Sequence, residues 1–135
     1  MSRFVLVDAN VLLDVLTDDP DWAGRSGSAL ARVADEARLA INPIVYAEVS
    51  IGFDQIEGLD AALPQETFAR LPLPWAAAFL AGKCFVRYRR SGGARRSPLP
   101  DFYIGAHAAV EGFPLLTRDE GRYRTYLPRL ELITP

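Results

Sequence analysis

Residues 3–8, Arg-Phe-Val-Leu-Val-Asp, form a nearly continuous apolar run that stops at an acid. A run of this kind marks a strand buried on both faces, the sort found in parallel sheets covered by helices on each side. It is too short to cross a membrane or to serve as the apolar region of a signal peptide, so a cytoplasmic protein is expected. The single cysteine, Cys84, cannot form an intramolecular disulfide, which agrees with that compartment.

The rest of the chain alternates strands with helices. A helix is expected from about Ala9 to Leu16, ended by Thr17-Asp18-Asp19-Pro20, and a second from about Trp22 to Ala37. Leu39-Ala40-Ile41 reads as a short strand. Asn42-Pro43 then opens a helix, with Asn as N-cap and Pro in the first helical position, running to about Gln55. Ile56–Leu63 reads as a short helix and Phe68–Leu73 as an extended segment. A strongly helical stretch from Pro74 to about Arg90 is broken by Ser91-Gly92-Gly93. Asp101–Glu111 is a helix of small residues ended by Gly112, followed by a strand over 113–117, a short helix from Asp119 to Tyr126 and a last strand from Leu130 to Thr134. This alternation predicts an α/β fold around a mostly parallel sheet. With 135 residues and no linker, residues 1–135 are expected to form a single domain.

Four carboxylates concentrate the chemistry: Asp8, Glu48, Asp101 and Asp119. Asp8, Asp101 and Asp119 each stand where a helix is expected to begin, and N-capping would explain any one alone. Glu48 is harder to explain that way. At helical spacing it shares a face with Ile44 and Ile51, which puts a carboxylate in the apolar stripe. In an open α/β sheet ligands bind beyond the carboxyl ends of the strands. Asp8 ends the first strand, Asp119 follows a later one, and Glu48 lies on a helix after a third, so the acids can converge on one sheet edge.

Such convergence is costly without a counter-charge. Two like charges ~5 Å apart repel by ~3 kcal/mol at an effective dielectric of ~20. Four carboxylates would accumulate on the order of 10–20 kcal/mol, against a domain stability of about 5–15 kcal/mol. A hard divalent cation with oxygen ligands, Mg²⁺ or Mn²⁺, is the natural remedy. There is no Cys/His cluster for zinc. A carboxylate-held Mg²⁺ can bind phosphate and activate a water for phosphodiester hydrolysis.

At these residues the sequence resembles a known family. Val-Leu-Val-Asp8-Ala-Asn10 resembles the opening motif of PIN domains, a hydrophobic strand ending in Asp-x-Asn or Asp-x-Ser. Asn42-Pro43-Ile44-Val45-Tyr46-Ala47-Glu48 is similar to the second motif, and Pro100-Asp101-Phe102-Tyr103-Ile104-Gly105-Ala106-His107-Ala108 to the third. Leu116-Thr117-Arg118-Asp119, with Tyr123 beyond, is similar to the fourth. All four occur in order, and the likeness runs from Phe4 nearly to the C-terminus.

Within that family the chain is similar to VapC-type toxins, the ribonuclease half of type II toxin–antitoxin pairs. The resemblance implies an endoribonuclease built as a three-layer α/β/α sandwich, often a homodimer. Asp8, Glu48, Asp101 and Asp119 would ligate Mg²⁺ or Mn²⁺, supported through hydrogen bonds by Asn10 and Thr117. It also implies a small antitoxin partner, with operator DNA bound only through the antitoxin. The alternative is a catalytically inactive PIN-like module that binds RNA or protein; retention of all four acids favours the enzyme.

The net charge is −2, yet all but one of the fifteen basic residues are Arg, and Arg87, Arg89, Arg90, Arg95 and Arg96 cluster before Asp101. The cluster reads either as a solvated helix end or as a phosphate-binding patch, with Arg95 and Arg96 the RNA contacts. His107 is expected to be structural. Glu120 is a further candidate ligand or a first-turn acid. Cys84 is expected in the core, Trp22 and Trp75 at packing or interface positions, and Tyr123 and Tyr126 buried against the last strand.

Overall fold

In the computed structural model of the chain, which describes residues 3–135, five parallel strands form one sheet sandwiched between helices. The strands are β1 (Phe4–Val7), β2 (Arg38–Ile41), β3 (Ala69–Arg70), β4 (Leu115–Leu116) and β5 (Leu132–Ile133), in the order β3-β2-β1-β4-β5. The helices are α1 (Ala9–Leu16), α2 (Ala23–Glu36), α3 (Pro43–Ser50), α4 (Ile56–Ala62), α5 (Trp75–Arg90), α6 (Pro100–Glu111) and α7 (Gly121–Tyr126). This is the α/β/α sandwich expected from the sequence.

β1 is the central strand, and Val5, Leu6 and Val7 are all buried. A strand covered on both faces has no solvent side, which is why its sequence does not alternate. From β1 the chain winds outward to β2 and β3. It then returns to lay β4 on the opposite flank of β1, with β5 beyond it. The connections leaving β1 and β4 therefore diverge, and the crevice beyond their carboxyl ends is where open α/β sheets hold ligands. The Asp8 N–H donates to the Leu116 carbonyl at 2.9 Å, which continues the ladder to that edge.

Local signals fix the helices that face the crevice. The Asn42 side chain accepts the Val45 N–H at 2.9 Å and Pro43 occupies the first turn, so α3 starts where the sequence places it. Gly112 ends α6 in the left-handed conformation, φ 73°, which glycine adopts without a Cβ penalty.

Several boundaries differ from expectation. α3 stops at Ser50 rather than near Gln55, because Gly52 and Phe53 turn back to the carbonyls of Val49 and Ser50. Ile51 is consequently 87% exposed, and the buried residues of α3 are Val45 and Val49. Of the apolar stripe expected around Glu48, Ile44 therefore packs against the core and Ile51 does not. The strand after Gly112 is limited to Leu115–Leu116, and α7 begins at Gly121, two residues past Asp119. Asp119 thus caps no helix; Thr117 Oγ1 accepts its N–H at 3.1 Å. α6 begins at Pro100, so Asp101 lies in its first turn rather than at the cap.

α6 and α7 meet through a close approach at Gly105. A Cβ there would sit 2.6 Å from Leu127 Cδ1 and 2.9 Å from Tyr123 Cδ1, both side chains being buried. Gly105→Ala is expected to lower stability by about 1–3 kcal/mol through overpacking, read as a lower denaturant midpoint. An unchanged midpoint would show that α7 is not held against α6.

Candidate active site

Asp8 is the hub of the β1–β4 edge. Only 3% exposed, it caps α1 with Oδ1, which accepts the Ala9 N–H at 2.8 Å. Its Oδ2 accepts from the Tyr123 hydroxyl at 2.8 Å, Thr117 Oγ1 at 2.9 Å and Asn10 Nδ2 at 3.4 Å. Asn10 also donates to Thr117 Oγ1 at 3.2 Å, while its Oδ1 accepts the Arg118 N–H at 3.3 Å. The start of α1, the segment after β4 and α7 are thereby laced together around one carboxylate. Burial raises the Asp8 pKa, the bonds from Tyr123 and Thr117 pull it back, and the charge of Asp119 adds to the rise.

The other acids crowd this hub. Burial first, then the charges of Asp8 and Asp101, push the Glu48 carboxyl up to about 7. Glu48 Oε1 is shut off from solvent and has no hydrogen-bond partner among the described residues. Asp101 is raised to about 6, again by burial first and then by Asp8, with Arg122 opposing. Arg122 Nε stands 3.7 Å from Asp101 Oδ2. Asp119 is exposed, and its charge raises both Asp8 and Asp101. Burial and the nearby acids also hold the Tyr123 phenol well above its usual range, so it serves as a donor.

The acids do not form a closed cage. Among the described residues, no three acid, histidine or cysteine side chains stand together as a ready-made metal site. The donor set nevertheless suits a hard cation. It is all oxygen, several of its members raise one another's pKa, and a desolvated Glu48 oxygen lacks any donor.

Supporting residues fall into two groups. His107, buried on α6, pairs its Nδ1 with Asn42 Nδ2 at 3.0 Å. Because Asn42 Oδ1 already accepts from Val45, its NH₂ is the donor, which leaves the His107 proton on Nε2. Burial lowers the His107 pKa and favours this neutral form. The pair ties α3, carrying Glu48, to α6, carrying Asp101. The second group is Asp14, Ser26 and Arg118. Asp14, 2% exposed, accepts from Ser26 Oγ at 2.7 Å and Arg118 Nε at 2.8 Å, and the Arg118 guanidinium lies over the Trp22 ring. This network anchors the segment between Thr117 and Asp119 to α1 and α2.

Sequence reasoning missed Asp14, although its position three residues after buried Val11 on α1 is the same kind of signal that drew attention to Glu48. It placed Tyr123 beyond the fourth motif and buried against the last strand, without its bond to Asp8. Glu120 does not reach the acids; it pairs with Arg124 at 2.6 Å. Of the Arg cluster, Arg87 and Arg89 are engaged with backbone carbonyls of Thr125, Tyr126, Ala94 and Arg95, whereas Arg95 and Arg96 are exposed.

The PIN domain family model matches residues 5–127. No curated protein matches the chain. Among solved structures the fold is similar to VapBC2 from Rickettsia felis bound to a promoter DNA fragment, with TM-score 0.75, 20% identity, and coverage of 98% of this chain and 99% of that one. It is also similar to VapBC-1 from nontypeable Haemophilus influenzae, with TM-score 0.73, 18% identity and 98% of each chain covered. A toxin-antitoxin complex from Klebsiella pneumoniae superposes with TM-score 0.70 at 22% identity over 97% of each chain.

The raised pKa of Glu48 makes a prediction about stability. Its folded value of about 7 exceeds the ordinary 4.5, so between these values the metal-free folded protein binds more protons than the unfolded chain. Stability from this group is therefore present at low pH and lost as pH rises through about 7. His107, with its lowered pKa, works in the opposite direction, so the test is a comparison. From the acidic to the alkaline side of that window, wild type is expected to lose denaturant resistance relative to Glu48→Gln. Parallel pH trends would contradict it.

Proposed function

The chain belongs to the PIN domain family, and from that premise we propose that it is an Mg²⁺- or Mn²⁺-dependent endoribonuclease, the toxin of a toxin–antitoxin pair. The observation that carries the reading is the group of mutually repelling carboxylates around buried Asp8, at the point where the sheet topology reverses. Asp8, Glu48, Asp101 and Asp119 would hold the cation. A bound Mg²⁺ or Mn²⁺ supplies the Lewis acidity needed for phosphodiester hydrolysis.

The chain's own residues do the positioning. Thr117, Asn10 and Tyr123 fix the orientation of the Asp8 carboxylate, and the Asn42–His107 pair sets the relation between Glu48 and Asp101. Exposed Arg95 and Arg96 are proposed contacts to the RNA backbone. An antitoxin partner is supported by the fold's likeness to VapBC complexes, and operator DNA would be bound through that partner. Trp75, Phe79 and Val86 are respectively 92%, 69% and 40% exposed along α5, which supports a protein partner there, antitoxin or second copy. No helix of the described residues is long and apolar enough to cross a membrane, and the proposed place of action is the cytoplasm.

The test is incubation of total RNA with the purified, partner-free protein in Mg²⁺, Mn²⁺ or EDTA, beside Asp8→Asn. Discrete products are expected only with metal. Loss of a ligand should reduce the rate by about 100-fold or more, since even outer partners of a metal site cost 10–100-fold. Cleavage that persists in EDTA or in Asp8→Asn would refute the assignment.

A further inference from the structure

One cation in the acid cluster is unaccounted for by the positioning networks. Arg122, in the first turn of α7, faces Asp101 across 3.7 Å, a loose ion pair rather than a bidentate one. Its guanidinium is held over the Tyr88 ring at 5.6 Å and the Phe102 ring at 5.7 Å, and these rings meet edge to face at 5.8 Å. The aromatic seat fixes the plane of the guanidinium without using its N–H donors. One of those donors, on Nη1, is excluded from solvent and meets no acceptor among the described residues.

A buried charged donor without an acceptor costs about 1–3 kcal/mol or more, which the two rings and the loose pair with Asp101 offset only in part. The missing partner should be an anion with oxygen acceptors that comes to this edge of the sheet. Beside the guanidinium lies an open cavity of about 260 Å³, bounded by Tyr88, Gly121, Arg122, Thr125 and Tyr126. Other side chains around it are already committed: Arg87 donates to the Tyr126 and Thr125 carbonyls, and Arg124 pairs with Glu120.

We propose that Arg122 is a substrate-binding residue that grips a phosphate of single-stranded RNA next to the bond cut at the acid cluster, with the adjoining cavity receiving the flanking nucleotide. The inference rests on the nuclease reading above. Swinging from Asp101 to a phosphate oxygen would satisfy the orphan donor and free the Asp101 carboxylate for the cation. The charge is retained throughout, so no proton or electron is transferred in this step. Arg122 would then form the inner end of a cationic track whose outer end is Arg95 and Arg96.

The experiment measures binding of a labelled single-stranded RNA oligonucleotide over a salt series, in an Asp8→Asn background that prevents cleavage. Asp8→Asn is compared with the same protein also carrying Arg122→Gln or Arg122→Lys, and each protein's melting curve reports folding. If Arg122 grips a phosphate, Arg122→Gln weakens binding about tenfold. It should also flatten the dependence of log affinity on log salt by about 0.7, the contribution of one phosphate contact on a single strand. Arg122→Lys should restore the slope but only part of the affinity, because the charge returns without the fork. If Arg122→Gln fails to fold, Arg122→Lys still decides: affinity equal to the parent's overturns the fork contact. Unchanged affinity and slope in folded Arg122→Gln overturn the inference, leaving Arg122 as a counter-ion to Asp101. Loss of antitoxin binding with RNA binding intact overturns it in favour of a protein carboxylate as the partner. If Asp8→Asn with Arg122 intact binds no RNA and wild type cleaves none, the nuclease reading itself has failed, and this inference falls with it.

Discussion

The carboxylate of Asp8 is taken out of water by the same strand that forms the centre of the sheet. β1 is buried on both faces, so the residue that ends it emerges between β2 and β4, already desolvated and only 3% exposed. A bare carboxylate in that position would be expensive, and four hydrogen bonds, from Ala9, Tyr123, Thr117 and Asn10, compensate it. Those donors come from the first helix, the segment after β4 and the last helix. Satisfying one buried acid therefore ties the start of the chain to two segments more than a hundred residues further along.

The hydrogen bonds settle the position of Asp8 but not its charge. Tyr123, Thr117 and Asn10 are neutral, so they stabilise the anion without cancelling its field. Burial first, and then that field, push the carboxyls of Glu48 and Asp101 up to about 7 and about 6. Arg122 is the one cation paired with this group among the described residues, and its contact with Asp101 is loose. Arg118, although adjacent to Asp119, is bonded into the Asp14–Ser26 network, and Asp119 is the weakest of the charges that act on it. A site that strains toward protonation when alone is one that gains from a divalent cation, and this electrostatic imbalance underlies the nuclease proposal.

How much of this was legible in the sequence depended on whether the cause was local. β1 could be read because burial on both faces removes alternation, and the start of α3 because Asn-Pro carries its own capping chemistry. The α/β class with a parallel sheet followed from alternation, and the three-layer sandwich from the resemblance to PIN domains. Two boundaries set by short-range turns differ from the sequence reading. α3 was extended through Ile51, because an exposed isoleucine looks the same in sequence as a buried one. The sequence suggests a helix starting at Asp119 because an acid after a strand reads as a cap, whereas Thr117, two residues earlier, takes its N–H. The acid pattern itself stood out, but the Asp14–Arg118 pair joins residues 104 positions apart and leaves no local trace. Tyr123 was legible as buried and illegible as the donor to Asp8, since its hydroxyl finds its partner only when α7 packs on Gly105.

On the proposed reading, carboxylates raised by burial and by one another's charge hold a divalent cation. Calorimetric titration of the purified protein with Mn²⁺ tests this directly, carried out at a pH between the Asp101 and Glu48 values, in buffers of different ionisation enthalpy. Saturable binding accompanied by release of protons is expected, because the cation must displace those held by Glu48 and Asp101. Absence of binding, or binding with no proton released, would contradict it.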